Sequence, residues 1–261
     1  MDLFNFDEAS FLSFLLTLMR ISLVVFLLPV FGGNSAPRLV KGALCMVLTL
    51  ALWPHLSFSG SLLPGHPFGI ALMLAGEIIM GIMLGLLVRF FFAGIQTGGE
   101  LLGFQMGFTM VSVADPLSGQ STSISSHFMY MVSLLIFLVL DGHLVMLKGL
   151  TDSFALVPPG QLVFRHASLH NMLTLAGGMF VMAVHIAAPV MAALFLVELA
   201  LALMGRAAPQ MNLLMIGFPL KIGVGFLFMG LLFTIMRHQV QDFILGLGPQ
   251  MTNMLKLISP L

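Results

Sequence analysis

Long apolar runs separated by short breaks rich in glycine, proline and polar residues set the pattern of this chain. Crossing about 30 Å of hydrocarbon takes roughly 20 helical residues. Runs of that order fall near 11–32, 39–58, 68–95, 127–150, 170–204 and 211–236. The pattern predicts an all-α fold of about six long apolar helices. Between the runs lie Gly32-Gly33-Asn34-Ser35-Ala36-Pro37, Ser59 to Pro67, the long 96–126 segment, Val157-Pro158-Pro159-Gly160 and Gly205-Arg206-Ala207-Ala208-Pro209, all turn-forming in composition. The run 170–204 exceeds one straight span and carries Pro189 near its middle, so two half-helices meeting at a kink are expected. Pro29 and Pro219 are expected to interrupt their runs too, which a membrane tolerates only where neighbouring protein satisfies the freed backbone.

Composition narrows the class. Only 8% of the 261 residues are charged and 59% are hydrophobic, against about 25% charged in ordinary soluble domains. Mean hydropathy is +1.09. Too few charges exist to clothe a soluble core, so the chain is expected to sit in a membrane or inside an assembly. Ten basic residues balance ten acidic ones, which argues against nucleic acid as a partner. A single cysteine, Cys45, excludes a disulfide framework and a multi-cysteine metal site. The acidic start MDLFNFDEAS lacks the positive region of a cleaved signal, so the first apolar run is expected to be retained. Arg38, Lys41 and Arg206 against a Lys/Arg-free 59–67 stretch place 33–41, 96–126 and 205–210 on the cytoplasmic side and the termini outside, although Arg237 and Lys256 oppose this at the C-terminus.

Ionisable residues inside apolar runs are costly and default to a functional hypothesis. Here they are Arg20, Glu77, Arg89, Asp141, His143, His185, Glu198 and Lys221. They could form the relay of a proton-coupled secondary transporter using Glu77, Asp141, His185 and Glu198, or they could pair with one another and with partner subunits. No Glu-x-x-His or Asp-x-x-Asp cluster occurs within a run, which favours pairing. Arg20, Glu77, Arg89, Glu100, Asp141, His143, Glu198 and Lys221 are therefore expected to be structural polar residues. His166 and His170 share an i,i+4 spacing but lack the glutamate of a zinc-protease helix. Gly119-Gln120-Ser121, with His127, His143 or His185 as base, has neither the spacing nor an oxyanion device of a hydrolase. No catalytic, cofactor-binding or metal-ligating residue is assigned, and the chain is not expected to be an enzyme.

The most informative stretch runs from Gln96-Thr97-Gly98-Gly99-Glu100 through Gly103-Phe104-Gln105-Met106-Gly107-Phe108-Thr109-Met110 to Ala114-Asp115-Pro116. It is glycine-rich and apolar, and reads as a loop that must be buried in protein or line a cavity. Methionine can seal an aperture and still yield to varied shapes. Asp115-Pro116 initiates a turn, and the Ser/Thr-rich 118–126 stretch returns.

Gly99-Glu100-x-x-Gly103-x-Gln105-Met106-Gly107 followed by Asp115-Pro116 resembles the signature of the FliR family, export gate subunits of the bacterial flagellar type III secretion apparatus. Pro37-Arg38, Asp141-Gly142-His143, Arg206-x-Ala208-Pro209-Gln210 and Ile216-Gly217-Phe218-Pro219-Leu220 extend the resemblance over essentially the whole chain. Gln105-Met106-Gly107 and Gly217-Phe218-Pro219 are similar to the flagellar rather than the injectisome version. The resemblance implies a FliP-like N-terminal region over 1–167 and a FliQ-like helical hairpin over 168–261, whose tip carries Arg206, Pro209 and Gln210. It implies a protein-conducting gate in the inner membrane, at the flagellar basal body. The implied partners are FliP-like and FliQ-like gate subunits, FlhB-like and FlhA-like export components, and unfolded flagellar substrates. Joined to the loop composition, it implies a pore plug within 104–122, carried by Gln105, Met106, Gly107, Phe108, Thr109, Met110, Asp115, Pro116 and Leu117, which closes by excluding water.

Overall fold

A computed structural model describes residues 8–32, 37–55, 66–108 and 123–260, and every regular element among them is helical. The α-helices are α1 (Glu8–Leu27), α2 (Pro29–Gly32), α3 (Arg38–Leu52), α4 (Pro67–Met106), α5 (Ile124–Val139), α6 (Gly142–Leu156), α7 (His166–Ala207) and α8 (Leu213–Ile258), with one 3-10 turn at Trp53–His55 after α3. By length and composition α1, α4, α7 and α8 can cross a membrane, and the bent pair α5–α6 raises the number to five if it counts as one span.

Several expected boundaries move. The 39–58 run forms a helix of 15 residues, about 22 Å at 1.5 Å per residue, too short to span. The 127–150 run breaks where Asp141 adopts the left-handed region at φ 57°. The 68–95 run continues to Met106 as a 40-residue helix, so the first third of the glycine-rich stretch is helical rather than loop. Pro189 does not split α7, which is helical over 42 residues, and Pro219 lies inside the 46 residues of α8. One proline removes a single backbone hydrogen bond, and the many remaining bonds on both sides keep the segment helical.

The chain divides into two compact units, each drawn from separated segments: residues 1–90, 141–175 and 244–261 in the first, 91–140 and 176–243 in the second. Both units take residues from either side of position 167. In the first, Leu16, Ile21 and Val24 of α1, Leu84 and Val88 of α4 and Met146 and Leu150 of α6 are buried. The steps of three and four residues from Ile21 to Val24, Leu84 to Val88 and Met146 to Leu150 follow the apolar stripe of a packed helix. In the second, Phe91 stacks on Phe243 at 3.9 Å, and Phe92 meets Tyr130 and Phe137 edge-on, geometries that aromatic rings favour.

Helix α4 carries Gly81/Gly85, Gly94/Gly98 and Gly99/Gly103, three pairs four residues apart. A Cβ at Gly85 would lie 2.5 Å from Leu27 Cβ of α1. At Gly98 it would lie 3.0 Å from the Ala183 carbonyl of α7, and at Gly99 2.5 Å from Ser126 Cα of α5. Small residues at this spacing let helix backbones approach closely. The close packing offsets the weak helix propensity of glycine.

Candidate functional site

Within the first unit, Arg20 of α1 is 0% exposed and Glu77 of α4 is 2% exposed. Arg20 Nε donates to Glu77 Oε2 at 2.5 Å and Nη2 to Oε1 at 2.8 Å. This is a two-pronged pairing of guanidinium with carboxylate. Arg20 Nη1 donates to the Ser153 carbonyl at 3.1 Å and the Val157 carbonyl at 3.0 Å. These carbonyls lie at the C-terminal end of α6, where the helix dipole is negative and favours a cation. The guanidinium also lies 4.3 Å from the centre of the Phe154 ring. Gly160, at φ 79°, completes a turn in which Gln161 N–H donates to the Pro158 carbonyl, and its own N–H donates to Glu77 Oε1 at 2.9 Å. The Pro-Pro-Gly break is thereby fastened to the ion pair, because only a left-handed residue lets the chain turn there.

In the second unit Lys221 of α8 donates to Glu198 of α7, and both side chains are partly exposed. The other candidates from the sequence lie apart. Arg89 and Glu100 sit exposed on α4, His185 is exposed on α7, and Asp141 is exposed at the head of α6 with no side-chain capping bond. His143 has a buried Nδ1 without a hydrogen-bond partner among the described residues. His166 and His170 are exposed at the start of α7, and no group of three metal-ligating side chains occurs among the described residues. At the hairpin tip Arg206, Pro209 and Gln210 are exposed, and the Met211 N–H closes the turn on the Ala208 carbonyl. Cys45 is buried in the short α3, and desolvation pushes its thiol above the ordinary range, which leaves it unreactive.

The roots of the 104–122 segment are defined. Gln105 and Met106 form the last turn of α4, and Met106 is 0% exposed. Gly107 stands at φ 87°. Its N–H donates to the Phe104 carbonyl, and the Phe108 N–H reaches back to the Gly103 carbonyl at 2.9 Å. This pair of bonds with a left-handed glycine is a Schellman stop. The returning side is held on α4 by Ser125 Oγ to the Gly99 carbonyl and Ser126 Oγ to the Gln96 carbonyl. Thr109, Met110, Asp115, Pro116 and Leu117, like Gly119-Gln120-Ser121, lie outside the described residues.

Residues 11–247 match the family of bacterial export proteins, family 1. The chain belongs to the FliR family of bacterial export proteins. It is 34% identical to the flagellar biosynthetic protein FliR of Pectobacterium carotovorum subsp. carotovorum over 215 residues, 82% of this chain and 81% of that protein. Against FliR of Bacillus subtilis strain 168 it is 31% identical over 235 residues, 87% and 90% of the two chains. Against the surface presentation of antigens protein SpaR of Salmonella typhimurium it is 29% identical over 238 residues, 90% and 87% of the two chains.

Sequence reasoning singled out Arg20, Glu77, Glu198 and Lys221, and the structure joins them in two pairs. It missed Ser153, whose carbonyl and hydroxyl both accept from Arg20, the ring face of Phe154 and the bond from the amide of Gly160, which it read only as part of a turn. It also missed the i,i+4 glycine pairs of α4, although their spacing was readable.

Proposed function

We propose that this chain is a structural and gating subunit of the protein-export channel of a flagellar type III secretion apparatus. The observation that carries the reading is the family match along residues 11–247, with 34% identity to a flagellar biosynthetic FliR over 82% of the chain. In this reading it sits in the bacterial inner membrane at the flagellar basal body, does no covalent chemistry, and passes unfolded flagellar proteins with energy supplied elsewhere. Its neighbours are FliP-like and FliQ-like gate subunits, with FlhB-like and FlhA-like components beyond. Residues 1–167 are FliP-like and residues 168–261 form a FliQ-like hairpin. Supporting this, only 28% of the most apolar stretch of α7 and 22% of that of α8 are buried within the chain, against 61% for α4. Such apolar surface is matched by other subunits or by lipid. A proton relay gains no support, because Glu77 and Glu198 are each held by a cation.

The sealing segment in this reading is the methionine-bearing stretch from Met106 to Leu117, which closes the resting pore by excluding water. Replacing Met106-Gly107-Phe108-Thr109-Met110 with a Gly/Ser linker should leave the complex assembled and make the resting membrane leak ions. Unchanged conductance in an assembled variant removes the plug role. The function itself is tested by deletion. Loss of the chain should abolish flagellar export, and a plasmid copy should restore it. Normal export without it ends the proposal.

A further inference from the structure

Two short motifs that stand far apart in sequence, Gln105-Met106-Gly107 and Gly217-Phe218-Pro219, belong to one contact within the second unit. Met106 fills the space over Gly225 of α8. The three atoms nearest to a Cβ built at Gly225 are all from the Met106 side chain, with Met106 Cγ at 2.8 Å. A Cβ at Gly107 would lie 2.8 Å from Phe218 Cε1 and 3.0 Å from Cδ1. Phe108 meets Phe226 with ring centres 6.1 Å apart at 64°. Phe218, Gly225 and Phe226 are spaced seven and eight residues, so they share one face of α8. Met106 is fully buried, and the chain leaves α4 through a glycine whose φ of 87° is open to few other residues. The end of α4 is therefore set by α8 as well as by its own cap.

We propose that Gly225 and Phe218 are positioning residues that set the direction in which the chain leaves α4 at Phe108, and that this setting is needed for export through the assembled gate. The inference rests on the export-gate reading of the protein. It assigns a task to a glycine within α8 where alanine would be the better helix former, so harm from a larger side chain there traces to Met106 and not to α8 itself.

The test uses the full chain co-expressed with its gate partners. Gly225→Ala and Gly225→Val are compared with Gly223→Ala, a position with nothing near it among the described residues, and export is divided by the amount of assembled complex. Gly225→Val should keep assembly near normal and lower export per complex at least tenfold, with Gly225→Ala intermediate and Gly223→Ala unchanged. Met106→Ala removes the three atoms nearest to a Cβ at Gly225, so Met106→Ala combined with Gly225→Val should export several-fold more per complex than Gly225→Val alone. Phe218→Leu should retain more export than Phe218→Ala. Normal export in Gly225→Val overturns the inference, and so does a double variant no better than the single one. Assembly falling in step with export also overturns it, since Gly225 would then be ordinary packing. Failure of the export-gate reading is separate: it would show as normal export in a strain that lacks the chain altogether.

Discussion

All three guanidinium nitrogens of Arg20 donate to partners inside the first unit, so this residue shows how the chain carries charge where water is absent. A buried pair is a weak source of net stability, yet removing one member strands the other, at about 3–5 kcal/mol. Glu77→Gln should therefore lower the yield and thermal stability of the complex by that order while export per assembled complex stays near normal. Full assembly with no export in this variant would instead mark Glu77 as a proton carrier. Asp141 differs, being exposed and left-handed at φ 57°. Asparagine tolerates that conformation, so Asp141→Asn should leave complex yield unchanged, whereas Asp141→Val should cost about 1–2 kcal/mol, seen as a lower melting temperature. That Arg20 and Glu77 matter was legible from charge inside apolar runs. Their pairing was not, because they stand 57 positions apart and most of the other anchors are backbone groups, the Ser153 and Val157 carbonyls and the Gly160 amide, which no side-chain pattern reports.

Glycine placement decides where the helices meet. The stretch 96–106 reads as a loop by composition, and it is helical because Gly98, Gly99 and Gly103 admit α5 and α7 at close range. Helix propensity is a weak prior that such packing overrides. Gly99→Val should cost about 1–3 kcal/mol by overpacking against Ser126, measured as a lower melting temperature and less assembled complex. Among the described residues, nothing lies within reach of a methyl added at Gly177 or Gly178 of α7. Alanine there should raise stability of the isolated chain by up to about 1 kcal/mol each, while any loss of complex yield would locate a partner helix on that face. The tip of the α7–α8 hairpin is exposed, and the cytoplasmic side expected for it follows from Arg206. A cysteine replacing Ala208 should react with a thiol reagent from the cytoplasm, with the buried Cys45 silent. Labelling only from the periplasm would invert the topology. The turn residues of the breaks and the Schellman glycine were readable in type. The persistence of helix through Pro189 and Pro219 was not, since it depends on the long helical segments on both sides.

At the scale of the whole molecule, α4, α7 and α8 contain 40, 42 and 46 residues. These are paths of about 60–70 Å at 1.5 Å per residue, roughly twice the hydrocarbon thickness. Helices of that length, apolar and largely uncovered in α7 and α8, fit a subunit that completes its burial against other chains. The apolar pattern made the all-helical class legible, but not the number of spans, because helix length here is not set by one bilayer crossing. In the reading proposed above, this chain works as one member of a multi-subunit export gate. Its most direct test is native mass measurement of the purified chain, alone and co-expressed with FliP-like and FliQ-like subunits. The chain alone should be polydisperse, and co-expression should give a discrete complex holding all three proteins. A monodisperse protein whose mass is unchanged by co-expression would contradict it.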